Sequence, residues 1–149
     1  MYAVRVNKEL KDLRKEPLEG IHLEVNESDL KKWKGTILGP EGTPYHGYEL
    51  RVKITLKDNY PLEAPSVSFE HPVYHPNVGG SGNICLDILQ NQWAPTLTLG
   101  KVMLSLSSLL SDPNPSSPLN SQAANFYRSN RQQYDEEVKK MCEKHCTKK

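Results

Sequence analysis

Cysteine is scarce in this chain: three residues in 149, an odd number with no spacing that would frame a set of disulfides. A reducing compartment, cytoplasmic or nuclear, is therefore expected. Long apolar runs are missing as well. With a mean hydropathy of -0.66, no segment has the length for a transmembrane helix or the pattern of a secretory signal, and no membrane association is expected. Neither sign of charge is in excess, since 19 Lys+Arg face 18 Asp+Glu for a net +1. A nucleic-acid binder would normally carry a basic surplus. No Gly-x-x-x-x-Gly-Lys-Ser/Thr loop occurs, so the chain has no motif for using nucleotide itself. Met1-Tyr2-Ala3 lacks the glycine that myristoylation requires, and Thr147-Lys148-Lys149 is not a prenylation box. Cys142 and Cys146, four apart beside His145, raise the possibility of a metal site. No second ligand cluster stands at zinc-like spacing, so they read as a small packing residue and a frayed tail residue, and no metal or other cofactor is expected.

What is present reads as one domain spanning 1–149, expected to be a monomer. Val6, Leu10 and Leu13 recur at helical spacing, predicting an amphipathic first helix that stops near Pro17. Alternating residues then predict strands at Ile21–Val25, Trp33–Leu38, Tyr48–Leu56 and Ser66–Phe69, an antiparallel meander with one buried face. From His71 to Leu97 periodicity is weak and turn residues are many. Irregular stretches beyond about 12–15 residues are uncommon unless they carry function, which points to an active-site segment. Thr98 is placed to cap a helix bearing Val102, Met103, Leu106, Leu109 and Leu110. The prolines of Asp112-Pro113-Asn114-Pro115-Ser116-Ser117-Pro118 must end it. Two more helices are predicted, at about 121–129 and 131–145. Helix, meander, long loop, then helices is an α+β order.

The long loop contains Tyr74-His75-Pro76-Asn77-Val78-Gly79-Gly80-Ser81-Gly82-Asn83-Ile84-Cys85-Leu86-Asp87. One thiol stands just beyond a glycine-rich turn, with a carboxamide before it and a carboxylate two residues after. A thiol can hold an acyl group as a thioester, a carboxamide N–H can stabilise an oxyanion, and a carboxylate can manage an incoming amine. The bland alternative for Cys85 is a small buried residue. His75 reads as structural, bonding the loop backbone, more readily than as a catalytic base.

This run closely resembles the active-site segment of ubiquitin-conjugating enzymes: the His-Pro-Asn tripeptide, the cysteine eight residues after the asparagine, and Leu-Asp following. Tyr60-Pro61, Ala64-Pro65, Trp93 and Asp112-Pro113-Asn114-Pro115 are similar to landmarks of the same family, so the likeness runs through the chain. The resemblance implies a helix, a four-stranded antiparallel meander, the cysteine loop, a central helix and two C-terminal helices. It implies a carrier activity in which Cys85 accepts ubiquitin as a thioester from the activating enzyme, which uses the ATP, and passes it to lysine on a protein substrate with the help of a RING-type ligase. Asn77 would support the oxyanion of aminolysis and Asp87 would position the lysine. Asn114 and Ser117 would lie at the gate. The ligase would meet Arg5, Pro61, Leu62, Trp93, Ala94, Pro95 and Thr96, although Trp93 suits a core anchor equally well. The donor ubiquitin would fold against Leu104 and Ser108.

Several positions depart from the family pattern. Leu62 stands where promiscuous members carry Phe, Ala94-Pro95-Thr96 replaces Ser-Pro-Ala, and Ser117 occupies a place often held by an acid. These differences point to a narrow choice of ligase and to weak unaided reactivity toward lysine. Ser117-Pro118 is also a sequence that a proline-directed kinase could read. His22 falls on a sheet position where some relatives bind a second ubiquitin. The rival readings are a conjugating enzyme for another ubiquitin-like modifier, a catalytically silent ubiquitin-binding variant, which would normally lack the cysteine, and, remotely, a cysteine hydrolase.

Overall fold

The structure, a computed structural model, describes residues 2–149. Helix α1 (Tyr2–Lys15) precedes strands β1 (Ile21–Asn26), β2 (Asp29–Leu38), β3 (Tyr48–Thr55) and β4 (Ser66–Phe69). After the long loop come α2 (Leu99–Ser111), α3 (Ser121–Ser129), α4 (Arg131–His145) and a last short strand, β5 (Thr147–Lys148). The α+β order expected from periodicity is the order found.

Antiparallel pairing sets the apolar residues of the meander into rows across one face. Ile21 pairs with Ile37 and Ile37 with Leu50; Leu23 pairs with Gly35, Gly35 with Val52 and Val52 with Phe69; Val25 pairs with Trp33, Trp33 with Ile54 and Ile54 with Val67. Because the side-chain period is two, this register sends His22, Glu24, Lys34, Thr36, Arg51 and Lys53 to the other face. Helix α2 covers the apolar face with Val102, Met103, Leu106 and Leu110, all buried. Thr98 caps this helix as expected, its side chain accepting from the Lys101 N–H at 3.1 Å.

Two features differ from the reading of the sequence. Strand β2 begins at Asp29 and not at Trp33, because a tight turn follows Asn26, whose side chain accepts from the Ser28 N–H at 2.9 Å. Asp29-Leu30-Lys31-Lys32 has no clean alternation, so its extended conformation comes from pairing. The sheet also gains a fifth strand. The four residues of β4 cover only Val52–Thr55 of β3, leaving Tyr48 and Glu49 with an open edge that Lys148 and Thr147 fill. The residues after α4 are thus held to the sheet, and Cys146 is half-buried rather than frayed.

Gly35 is the close point between sheet and helix. A Cβ there would lie 2.6 Å from Met103 Cε and 2.9 Å from Val52 Cγ2. Gly35→Ala is expected to lower stability in urea denaturation by about 1–3 kcal/mol through overpacking, despite its gain in strand propensity.

Candidate active site

The cysteine loop is irregular in sequence but tightly bonded in space. Asn77 and Cys85 face one another, with the Cys85 N–H donating to the Asn77 carbonyl at 2.9 Å, and Val78 forms an antiparallel bridge with Ile84. Between them the chain reverses: Gly79 N–H donates to Asn83 O at 2.8 Å and Gly82 N–H to Gly79 O at 3.0 Å. Gly82 has φ +83°, and a Cβ there would meet the Phe69 carbonyl oxygen at 2.4 Å. Only glycine allows this turn to press against β4, where Phe69 N–H donates to Gly82 O at 2.9 Å. Cys85 emerges half-exposed from the end of this small hairpin. Asp87 follows, exposed, and opens a single 3-10 turn (Asp87–Leu89) by accepting from the Ile88 N–H at 2.8 Å.

His75, Pro76 and Asn77 each bind a different part of the C-terminal half. The His75 ring is buried: its Nδ1 lies 2.9 Å from the Asn77 N–H and its Nε2 2.7 Å from the Leu109 carbonyl near the end of α2. A backbone N–H can only donate, so Nδ1 is the acceptor and Nε2 carries the proton. The Pro76 carbonyl accepts from the N–H groups of Leu119 at 2.8 Å and Asn120 at 3.1 Å. Asn120 in turn caps α3 through Ala123 N–H at 3.0 Å. The Asn77 carboxamide, also buried, accepts from Asn114 N–H at 2.8 Å and donates to the carbonyls of Asn114 at 2.8 Å and Ser117 at 3.3 Å. Both Asn77 N–H bonds therefore hold the 114–117 turn. To face an oxyanion, Asn77 has to release one of them, and the longer bond to Ser117 is the weaker. Asn114 and Ser117 are joined to the Cys85 loop in this way, with the Ser117 side chain exposed.

The residues proposed for partner recognition also converge, through a group that sequence reasoning overlooked. Glu9 is only 3% exposed. Its carboxylate accepts from Arg5 Nε at 2.9 Å, from the Tyr60 hydroxyl at 2.5 Å and from the Leu99 N–H at the start of α2 at 2.7 Å. Carboxylate charge at a helix N-terminus is favourable, and these are charge-assisted bonds. The rest of the Arg5 guanidinium donates to the carbonyls of Pro95 at 2.7 Å and Leu97 at 2.6 Å. Arg5 is thus a tie between α1 and the 95–97 loop, with its side chain 21% exposed. Trp93 anchors this junction. It is half-buried against Tyr60 with ring centroids 6.0 Å apart, and its indole N–H donates to the Pro61 carbonyl at 2.9 Å. Leu62 projects beside this junction at 65% exposure, and Pro95 and Thr96 are exposed as well. The sequence signal for Glu9 was present: an acid four residues after Arg5 on the edge of the Val6–Leu10 stripe. On α2, Leu104 and Ser108 are exposed and one turn apart, on one face.

A family model described as ubiquitin-conjugating enzyme matches residues 5–142. The chain belongs to that family. Family membership covers the His-Pro-Asn segment, the cysteine and all the helices but a few terminal residues. Among solved structures, one described as a ubiquitin conjugating enzyme from Plasmodium yoelii is 36% identical, with a TM-score of 0.90 over 99% of this chain and 96% of that one. Among the described residues no helix is long and apolar enough to cross a membrane.

Burial lowers the His75 pKa from its ordinary 6.5 to about 4, against the opposing effect of the bond to Leu109. Protonation would also place a second N–H against that of Asn77. The unfolded chain takes up this proton below about pH 6.5 and the folded protein resists until about pH 4. Stability is therefore full above the unfolded value and is lost as pH falls through this window, by about 3 kcal/mol for the shift. His75→Gln is expected to flatten the slope of unfolding free energy between pH 7 and pH 4 by about that amount, measured by urea denaturation across the range.

Proposed function

We propose that this chain carries ubiquitin as a thioester on Cys85 and delivers it to lysine. The Cys85 thiolate attacks the thioester carbonyl that joins ubiquitin to the activating enzyme, and that enzyme's thiol departs. The ε-amine of a substrate lysine later attacks the Cys85 thioester, an oxyanion forms, and Cys85 leaves as the thiol. The ATP is used upstream by the activating enzyme, so this chain needs no cofactor. The observation that carries this reading is a half-exposed thiol closing a hairpin anchored to Asn77, in a chain of this family. Free lysine has a pKa near 10.4, so the amine has to be desolvated or partnered to attack near pH 7. Asp87, exposed two residues from Cys85, is the partner in reach.

Asn77 has two parts in this scheme. Its buried carboxamide positions the 114–117 gate, and release of the bond to Ser117 presents an N–H to the oxyanion. The junction of Arg5, Pro61, Leu62, Trp93, Ala94, Pro95 and Thr96 is the surface for a RING-type ligase, and the exposed face bearing Leu104 and Ser108 receives the donor ubiquitin. The protein works as a monomer in the cytoplasm, the nucleus or both. Charge balance and the solvated sheet face give no reason to involve nucleic acid or membrane.

Purified protein incubated with activating enzyme, ATP and ubiquitin is expected to give an adduct that runs on nonreducing gels, disappears with thiol, and is absent from Cys85→Ala. If wild type forms no such adduct with ubiquitin but does with another ubiquitin-like protein, the modifier reading changes and the carrier chemistry stands. Asn77→Ala should still load, yet discharge to free lysine about 10²–10³ more slowly in single turnover; discharge at the wild-type rate removes Asn77 from the aminolysis step.

A further inference from the structure

A second sulfur site lies outside the Cys85 loop, where α4 meets β5. Cys142 is buried in the last turn of α4, and Cys146 follows the helix end, half-buried. The Cys146 N–H donates to the Cys142 carbonyl at 2.8 Å, which holds the two residues one helical turn apart. At that spacing the Cα atoms are about 6 Å apart, within the range of about 4.4–6.8 Å for a disulfide, and the Cβ atoms about 5–6 Å apart, so closing the bond draws Cys146, whose backbone has already left the helix, toward Cys142.

The surroundings of Cys146 are polar in a directed way. His71 Nε2 accepts from the Arg51 N–H at 3.0 Å, so the imidazole proton is on Nδ1, which lies 3.0 Å from the Pro72 carbonyl and 4.0 Å from Cys146 Sγ. The Arg51 guanidinium donates to the His145 carbonyl at 3.2 Å and to Thr147 Oγ1 at 3.0 Å, binding the residues on either side of Cys146. The neighbouring Cys142 thiol holds the Cys146 pKa well below the usual thiol range, against the opposing effect of burial, with His71 and Arg51 adding to it. The same pairing, together with burial, pushes Cys142 up.

We propose that Cys142 and Cys146 are a redox-active thiol pair, with Cys146 the site attacked by hydroperoxides and Cys142 the thiol that resolves it to a disulfide. The Cys146 thiolate attacks the terminal peroxide oxygen and the O–O bond breaks. The departing oxygen takes a proton as alcohol, or as water from hydrogen peroxide, leaving Cys146 as a sulfenic acid. Cys142 sulfur then attacks Cys146 sulfur, and hydroxide leaves with the Cys142 proton as a second water. Two thiols lose two electrons in all and one peroxide gains them. Half-buried Cys146 is reachable by a small peroxide, and buried Cys142 is reachable only by its neighbour.

The test uses the full chain with Cys85→Ser, so that oxidation of the carrier thiol is not scored. After substoichiometric hydrogen peroxide and blocking of free thiols, trypsin cuts beside Lys144, between the two cysteines. The expected product is peptide 141–144 linked to peptide 145–148, separated by reduction. Adding Cys142→Ser should stop at a sulfenic acid on Cys146, captured by dimedone, and His71→Gln should slow linkage about twofold at pH 6, since a rise of about one unit from a Cys146 pKa of about 5 roughly halves its thiolate. Circular dichroism confirms that each variant is folded. Absence of the linked pair, dimedone on Cys142 in place of Cys146, or an unchanged rate in folded His71→Gln overturns the proposal.

Discussion

The carboxamide of Asn77 is the constraint on which the active-site region depends. It is buried, and its oxygen and nitrogen serve three backbone groups of the turn that follows α2. A buried polar group left without partners costs about 1–3 kcal/mol, so the amide and the turn hold each other in place. The Asn77 backbone carbonyl meanwhile receives the Cys85 N–H. A single residue therefore ties the thiol-bearing loop to the 114–117 turn. His75 and Pro76 repeat the device on either side, binding the end of α2 and the entry to α3. Three prolines between those helices leave the turn with few internal backbone bonds, and the tripeptide supplies the missing partners from outside.

Helix α2 acts as a beam between this region and the loops that carry Trp93 and Pro95. Its first N–H is bound by Glu9 and its Leu109 carbonyl by His75. Glu9 also collects Arg5 and Tyr60, which support the Trp93 and Pro95 loop. A force on that junction would thus act on side chains bonded directly to the start of α2, whose far end carries the His75 contact. Physical continuity of this kind is what coupling between two surfaces requires, and the buried face of α2 on the sheet makes the beam stiff.

The periodic parts of the fold were legible because burial there has a period. The rows through Ile37, Gly35 and Trp33 and the apolar face of α2 follow from alternation and helical spacing. β5 was not legible: two exposed residues have no pattern, and the reason they pair is the shortness of β4. The same cause hid the surroundings of Cys146, since His71 and Arg51 come from other elements. In the active-site loop the chemistry could be read from residue types, and the resemblance placed Cys85, Asn77 and Asp87. The internal bonding could not be read, because His75 and Asn77 reach residues 34 to 40 positions away. Glu9 was overlooked for a related reason. An acid on a mostly basic helix reads as part of the solvated face unless the helix N-terminus it serves is known.

The two thiol sites have surroundings suited to different chemistry. A carrier thiol works by exchange with an already activated acyl group, so it needs room for two proteins and a good fit to the oxyanion more than it needs a strongly stabilised thiolate. Cys85 has that setting: a half-exposed hairpin end, no cation adjoining it in sequence, and a 114–117 turn held by Asn77. Cys146 is built the other way, with an imidazole N–H, a nearby guanidinium and a second thiol around a half-enclosed sulfur. Such surroundings favour the anion. Sulfur in the first setting is suited to holding a protein's C-terminus and sulfur in the second to meeting a small oxidant, because the neighbours decide which partner can approach and which charge state it meets.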